Sequence, residues 1–192
     1  VGEAGPSLCA LPAMVPTLSH GLLVTAEMQH VLDAVLSDTT QNQIGFCGMG
    51  GIGKTTVSCW VTRSDIVRTQ FSMVAWITLG QAPVLNSCLD LLHLQLTGSA
   101  LPDDSTSEQK DQLLQQAFHQ RSVLLVLDDC WDAEVARHFT WIDQKTNSKI
   151  LISSRVRDVL EGGEIIDVCV PSASDVVEML LSTAELDVDA LK

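Results

Sequence analysis

Basic residues are scarce in this sequence. Lysine and arginine together number 11 against 24 acidic residues, giving a net charge of −13. That balance argues against a chain built to embrace nucleic acid non-specifically. It leaves room for a phosphate site, which needs only local amides and one or two cations. The few arginines are not clustered, which disfavours the arginine-rich lid of a small-molecule kinase. No apolar run approaches about 18 residues, so no helical membrane span is expected. None of the six cysteines forms a C-x-x-C pair, and most sit in apolar stretches. They read as buried, reduced thiols of a cytoplasmic protein. The histidines His20, His30, His93, His119 and His138 are scattered without metal-ligand spacing. No positively charged segment opens the chain, so no signal peptide is expected. A guanine-reading N-K-x-D or T-K-x-D is missing, and Thr146-Asn147-Ser148-Lys149 does not supply one. There is no internal repeat.

What is present is globular. Of 192 residues, 46% are apolar and 18% charged, enough for one domain or slightly more with a proper core. The chain opens on Val1 rather than Met, and it reads as a piece of a longer protein. Val1–His20 carries Pro6, Pro12 and Pro16 among small and apolar residues. It is expected to be a linker or poorly ordered lead-in. A helix should begin at Thr25, with Met28, Val31, Leu32, Val35 and Leu36 on one face. Ile44–Cys47 reads as a strand, followed by a helix from Gly53 to about Arg63 with Val57, Trp60 and Val61 inward. Met73–Leu79 is a near-solid apolar run, as in a strand buried on both faces. Pro83 can open a helix with Leu85, Cys88, Leu89, Leu92 and Leu96 on one face and Gly98 as its C-cap. Ser105 and Glu108 have capping-box spacing and should begin a helix carrying Leu113, Leu114, Ala117 and Phe118. Val123–Leu127, Lys149–Ser153 and Ile165–Val170 read as further strands, with a short helical stretch around Ala133–Phe139. Ser172 and Asp175 repeat the capping-box spacing before a last helix with Val176, Val177, Leu180, Leu181 and Ala184 inward. Strands alternating with helices predict an α/β fold in which a mostly parallel five-stranded sheet is covered on both faces.

The most informative stretch is Ile44–Thr56, IGFCGMGGIGKTT. Gly48, Gly53, Lys54 and Thr55 match G-x-x-x-x-G-K-[ST], the phosphate-binding loop between a strand and a helix. Glycines let the backbone approach a phosphate with no Cβ in the way. Loop and helix-start amides point at the anion, and the helix dipole favours it. The Lys54 ammonium can reach β- and γ-phosphates, and the Thr55 hydroxyl can ligate Mg²⁺. The candidate phosphate contacts are therefore Gly48, Met49, Gly50, Gly51, Ile52, Gly53, Lys54, Thr55 and Thr56.

A phosphate loop by itself hydrolyses nothing; it needs a carboxylate for the metal and a group that places water. Asp128 and Asp129 follow the apolar strand residues Val123–Leu127. That is the carboxyl end of a parallel strand, where open α/β sheets put their ligands. Asp128 is the candidate metal-side acid with Thr55, and Asp129 the candidate for orienting the attacking water. Arg155 follows the strand KILIS and falls on the same edge, where a guanidinium can sense a γ-phosphate. Lys54, Asp129 and Arg155 are thus the candidate catalytic groups. Arg157 reads as a surface residue, Trp60 and Trp76 as core, and Trp131 as packing beneath the metal loop.

In order, GMGGIGKTT, FSMVAWITLGQ, LLVLDDCWD and KILISSR resemble the NB-ARC nucleotide-binding domain. This is the switch module of plant disease-resistance proteins and apoptotic protease-activating factors, within the signal-transduction ATPases with numerous domains (STAND). The resemblance covers roughly Gly21–Lys192. It implies a three-layer P-loop NTPase fold that binds ADP or ATP with Mg²⁺. It implies that Gly48–Thr56 carry the phosphates, Asp128 the metal and Asp129 water activation, with Arg155 as the phosphate-sensing arginine. The family's V-G-R-E stretch touches adenine and corresponds to Leu22-Leu23-Val24-Thr25, which implies Val24 as the candidate adenine contact, although the arginine is missing. Residues 1–20 are then a lead-in, 21–171 the nucleotide-binding domain, and 172–192 the start of a helical subdomain. The family's G-L-P-L and M-H-D segments do not appear, nor do sensor repeats or an effector domain. The implied function is an ADP/ATP switch in a larger cytoplasmic protein, with slow hydrolysis and nucleotide-dependent homo-oligomerisation, and with no nucleic-acid partner. The alternatives are a metabolic P-loop enzyme, such as a small-molecule kinase, or a nucleotide-binding scaffold without turnover.

Overall fold

A computed structural model describes residues 7–19, 21–39, 41–102, 104–139, 141–142, 145–159, 163–170, 176–177 and 181. Five strands form one parallel sheet: β1 (Gln43–Cys47), β2 (Met73–Gly80), β3 (Val123–Cys130), β4 (Lys149–Ser154) and β5 (Glu164–Asp167). Their order is β2-β3-β4-β1-β5, and each neighbouring pair runs parallel. The helices are α1 (Ala26–Leu36), α2 (Lys54–Arg63), α3 (Asp65–Gln70), α4 (Leu85–Thr97), α5 (Ser107–Phe118) and α6 (Ala133–Arg137). Arg157–Val159 adds one turn of 3₁₀ helix.

Strand alternation divides the core in two, because successive side chains point to opposite faces. Ile44, Phe46, Val74, Trp76, Leu124, Val126, Leu151 and Ile166 pack with α1, α2 and α3. Ala75, Ile77, Leu79, Val123, Leu125, Leu127, Ile150 and Ile152 pack with α4, α5 and α6. This is the three-layer arrangement expected from the near-solid apolar strands.

Local signals set the helix ends, with some shifts. Thr25 caps α1, accepting from the Met28 amide at 3.3 Å. Gly98 closes α4 in the left-handed conformation, and its amide reaches the Leu94 carbonyl at 2.8 Å. The capping box of α5 is Thr106 with Gln109, one residue beyond the expected Ser105 and Glu108. A glutamine amide serves the motif as well as a carboxylate. On α2, Cys59 is buried and Trp60 only half-buried, contrary to the inward place expected of Trp60. Of the six cysteines, which are all free, only Cys59 and Cys130 are buried, and Cys169 is exposed.

The lead-in differs from the expected linker. Across residues 7–19, Val15 is buried in the core, and Cys9, Leu11 and Leu18 pack against it. The Cys9 amide donates to the Arg68 carbonyl at 2.9 Å. The Arg63 guanidinium donates to the carbonyls of Val15 and Pro16. Pro12 opens a turn, its carbonyl accepting from the Val15 amide at 3.0 Å, and the Pro16 carbonyl also accepts from the Cys59 thiol of α2. At the other end, Val176 and Val177 are exposed and Leu181 half-buried rather than all inward. The expected cap at Ser172 and Asp175, and Leu180 and Ala184, lie outside the described residues.

Candidate functional site

The carboxyl edge of the sheet carries a cavity of about 360 Å³ lined by Gly51, Gly53, Lys54, Thr55, Thr78, Asp128, Asp129, Ser153 and Arg155. Four elements build it. The loop after β1 turns into α2, whose N-cap Gly53 has φ of 97°, a left-handed conformation that costs a glycine little. Gly48 is needed for a different reason. A Cβ there would lie 2.8 Å from the Val168 carbonyl oxygen, so only a bare Cα lets the loop pass the residue that follows β5.

Lys54, the first residue of α2, is buried. Its Nζ donates to the carbonyls of Gly48 and Met49, each at 2.8 Å, and so ties the loop to its own helix. Burial pushes its pKa down, Arg155 adds to that, and Asp129, Cys47 and Asp128 pull it back up.

Both carboxylates reach the cavity because β3 is irregular there. Leu127 pairs with Ile152 and Cys130 with Ser154, so Asp128 and Asp129 together stand opposite Ser153. This is a bulge, and Asp129 takes φ of 55° in it. In a regular strand adjacent residues would face opposite sides. Asp128 is buried and accepts from Thr55 Oγ1 at 2.9 Å and from Ser153 Oγ at 2.7 Å. The Ser153 hydroxyl also accepts from the Asp129 amide at 2.8 Å and thereby fixes the bulge. Asp129 meets Arg155 Nε at 3.3 Å. The Arg155 guanidinium lies over the Trp131 ring, 4.9 Å from its centroid.

The residues singled out in the sequence therefore divide. Gly51, Gly53, Lys54, Thr55, Asp128, Asp129 and Arg155 surround the cavity. Gly48, Met49, Gly50, Ile52 and Thr56 belong to the same loop and helix start without lining it, and Met49 is 71% exposed. Val24 is 45% exposed ahead of α1 and is not among the lining residues. Trp131 is half-buried and belongs to neither core cluster, and one face of its ring carries Arg155. Thr78 and Ser153 were not anticipated. Thr78 is the polar residue inside the run MVAWITL and pairs in register with Asp128, a cross-strand placement that the sequence by itself does not display. Ser153 is the polar residue facing the bulge, and a bulge has no sequence signature here.

The oxygen set suits a small hard cation. Mg²⁺ keeps several waters and takes few protein ligands beside nucleotide phosphates. The Thr55 hydroxyl, already directed at the Asp128 carboxylate, matches that need. Among the described residues no cluster of three or more His, Cys, Asp or Glu is grouped to hold a metal by side chains alone.

The NB-ARC domain family matches residues 24–188. The probable disease resistance RPP8-like protein 4 of Arabidopsis thaliana is 30% identical over 146 residues, covering 73% of this chain and 16% of that protein. The chain thus spans about a sixth of the length of that relative. Among solved structures, Cdc6p from Pyrobaculum aerophilum overlaps 91% of this chain and 52% of its own, with TM-score 0.67 at 16% identity. A STAND protein with a tetratricopeptide repeat sensor, PH0952 from Pyrococcus horikoshii, overlaps 88% of this chain and 26% of its own, with TM-score 0.60 at 14% identity. At those identities the structures speak for the fold, a P-loop NTPase. A match over most of the sequence, on the phosphate loop and acidic strand end described above, places the chain in the NB-ARC domain family.

Proposed function

We propose that this chain is the ADP/ATP-binding switch module of a larger signalling ATPase. The observation that carries the reading is the tied phosphate loop facing a paired hydroxyl and carboxylate. Lys54 closes the loop from within, and Thr55 is bonded to Asp128 across the cavity. The loop amides and Lys54 would hold the β- and γ-phosphates. Thr55 and Asp128 would hold Mg²⁺, which supplies charge neutralisation on the phosphate oxygens. Asp129 would accept a hydrogen bond from water and aim it at the γ-phosphorus. Its contact with Arg155 is long for a charge-assisted bond, so the arginine can be drawn off by a γ-phosphate.

A switch needs contacts that differ between its two states. Arg155 and Lys54 stand where only ATP would offer a third phosphate. ADP would keep the parent protein closed, ATP would open it for assembly with further copies, and slow hydrolysis would reset it. Val24 is proposed to lie near the adenine. Domains of the parent protein outside these residues would be the immediate partners, in the cytoplasm. A kinase would need an arginine-rich lid, for which this sequence offers few arginines and none clustered. The test is to denature the purified protein and identify the nucleotide released. ADP is expected; absence of any adenine nucleotide, together with no uptake of added ADP or ATP, would defeat the reading.

A further inference from the structure

Trp131 has no place in the proposed phosphate chemistry, yet its ring makes a specific contact with Arg155, the more exposed of the two cations lining the cavity. Its position follows from register. Cys130 is the last paired residue of β3 and stands opposite Ser154, the last residue of β4. Trp131 and Arg155 are each the next residue, so the two strand ends deliver them side by side. The Ser154 hydroxyl fixes this junction, donating to the Cys130 carbonyl at 2.7 Å and accepting from the Val156 amide at 2.9 Å.

Arg155 is then bounded on three sides. The Trp131 ring is 4.9 Å from its Cζ. Asp129 is 3.3 Å from its Nε. A Cβ on Gly50 would come within 2.9 Å of a terminal guanidinium nitrogen, so the arginine lies close across the phosphate loop. Arg155 lines the cavity, whereas Trp131, in contact with its guanidinium, is not among the lining residues. With its side chain 43% exposed, Arg155 has solvent to escape into. The indole N–H of Trp131 is buried without a partner among the described groups, so a hydrogen bond is not what places this ring.

Resting on the nucleotide-switch reading, we infer that Trp131 is a positioning residue for triphosphate recognition: its ring face holds the Arg155 guanidinium against the cavity, ready for a γ-phosphate. Aromatic faces attract guanidinium groups, and the same face tolerates the sliding needed when Arg155 leaves Asp129 for the phosphate. The effect is confined to the triphosphate, because a diphosphate offers no group at that depth.

The test is calorimetric titration of the chain with Mg²⁺ and either ADP or a non-hydrolysable ATP analogue. Trp131→Leu is expected to weaken the ATP analogue roughly two- to fivefold while ADP binding stays within error. Trp131→Phe, which keeps a ring face and sheds the unpaired N–H, should restore most of the loss. In an Arg155→Ala background Trp131→Leu should cause no further change. Equal weakening of both nucleotides, no weakening of either, or persistence of the effect without Arg155 overturns the inference. If Trp131→Leu does not fold, the wild type still decides: its tryptophan emission should differ between the ATP analogue and ADP, and this difference should vanish in Trp131→Phe and in Arg155→Ala. Identical emission with the two nucleotides overturns it as well. A wild type that binds no adenine nucleotide defeats the underlying reading, whereas binding with the wrong mutant pattern defeats the positioning role alone.

Discussion

Removing the charge of Lys54 separates two effects that its geometry combines. Lys54→Met keeps most of the aliphatic stem and deletes the ammonium. In the free protein this breaks two bonds, to the Gly48 and Met49 carbonyls, each 2.8 Å long. It also removes a buried cation whose burial opposes ionisation. These effects oppose one another, so folding stability should change by no more than about 2 kcal/mol. Phosphate binding has no such compensation. A hydrogen bond to a charged group contributes about 1.5–3 kcal/mol, or roughly a 10- to 150-fold loss of affinity. Untying the loop adds to that, because its carbonyls must then be ordered on binding. Calorimetry with ADP and an ATP analogue reads the affinity, and thermal melting without ligand reads the stability. A variant that melts like the wild type and binds within threefold of it would refute the role given to Lys54.

Asp129→Ala should retain nucleotide binding and slow hydrolysis by at least tenfold in single-turnover assays; an undiminished rate would move water placement elsewhere. Ser153→Ala should leave the Asp129 amide without its hydroxyl partner and remove the shorter bond to Asp128 Oδ1, costing about 1–3 kcal/mol in chemical denaturation. No loss of stability would mean that the bulge is held by other contacts. Adenine nucleotides should displace guanine nucleotides in competition, and equal or tighter GTP binding would count against the family-based reading. Lys54 also sets a pH dependence. Its pKa is lowered by burial first and Arg155 second. Folding therefore bears the cost of the charged form below the folded pKa, and that cost is relieved as pH rises toward the unfolded value. Phosphate affinity moves oppositely and should fall in alkaline solution before the ordinary lysine range, a fall that Lys54→Arg should abolish.

How much of this was legible in the sequence depended on the range of the signal. Near-solid apolar strands and helical faces such as Met28, Val31, Leu32 and Val35 are local patterns, and the sheet and its layers follow from them. The glycine loop was legible because glycine, lysine and threonine have few other reasons to occur at that spacing. The pair Asp128-Asp129 was legible as chemistry but not as geometry. What turns both carboxylates one way is a bulge stabilised by Ser153, whose partner atoms lie on another strand. The contact between Trp131 and Arg155 was hidden for the same reason, since it depends on the register of β3 against β4. The lead-in was misread because prolines suggest an unpaired chain, while Val15 and Leu18 find their cover only once α2 and α3 exist.

That lead-in has a practical consequence for where this domain can be cut. The family match begins at residue 24, but Val15 and the carbonyls held by Arg63 and Arg68 lie before it. A protein trimmed to the homologous region would strip an apolar cover from α2, the helix that starts at the phosphate loop. It would also leave two guanidinium groups facing the place where backbone oxygens had been. The packed unit extends beyond the region recognised by likeness, and the surplus is a brace on the helix that carries Lys54 and Thr55.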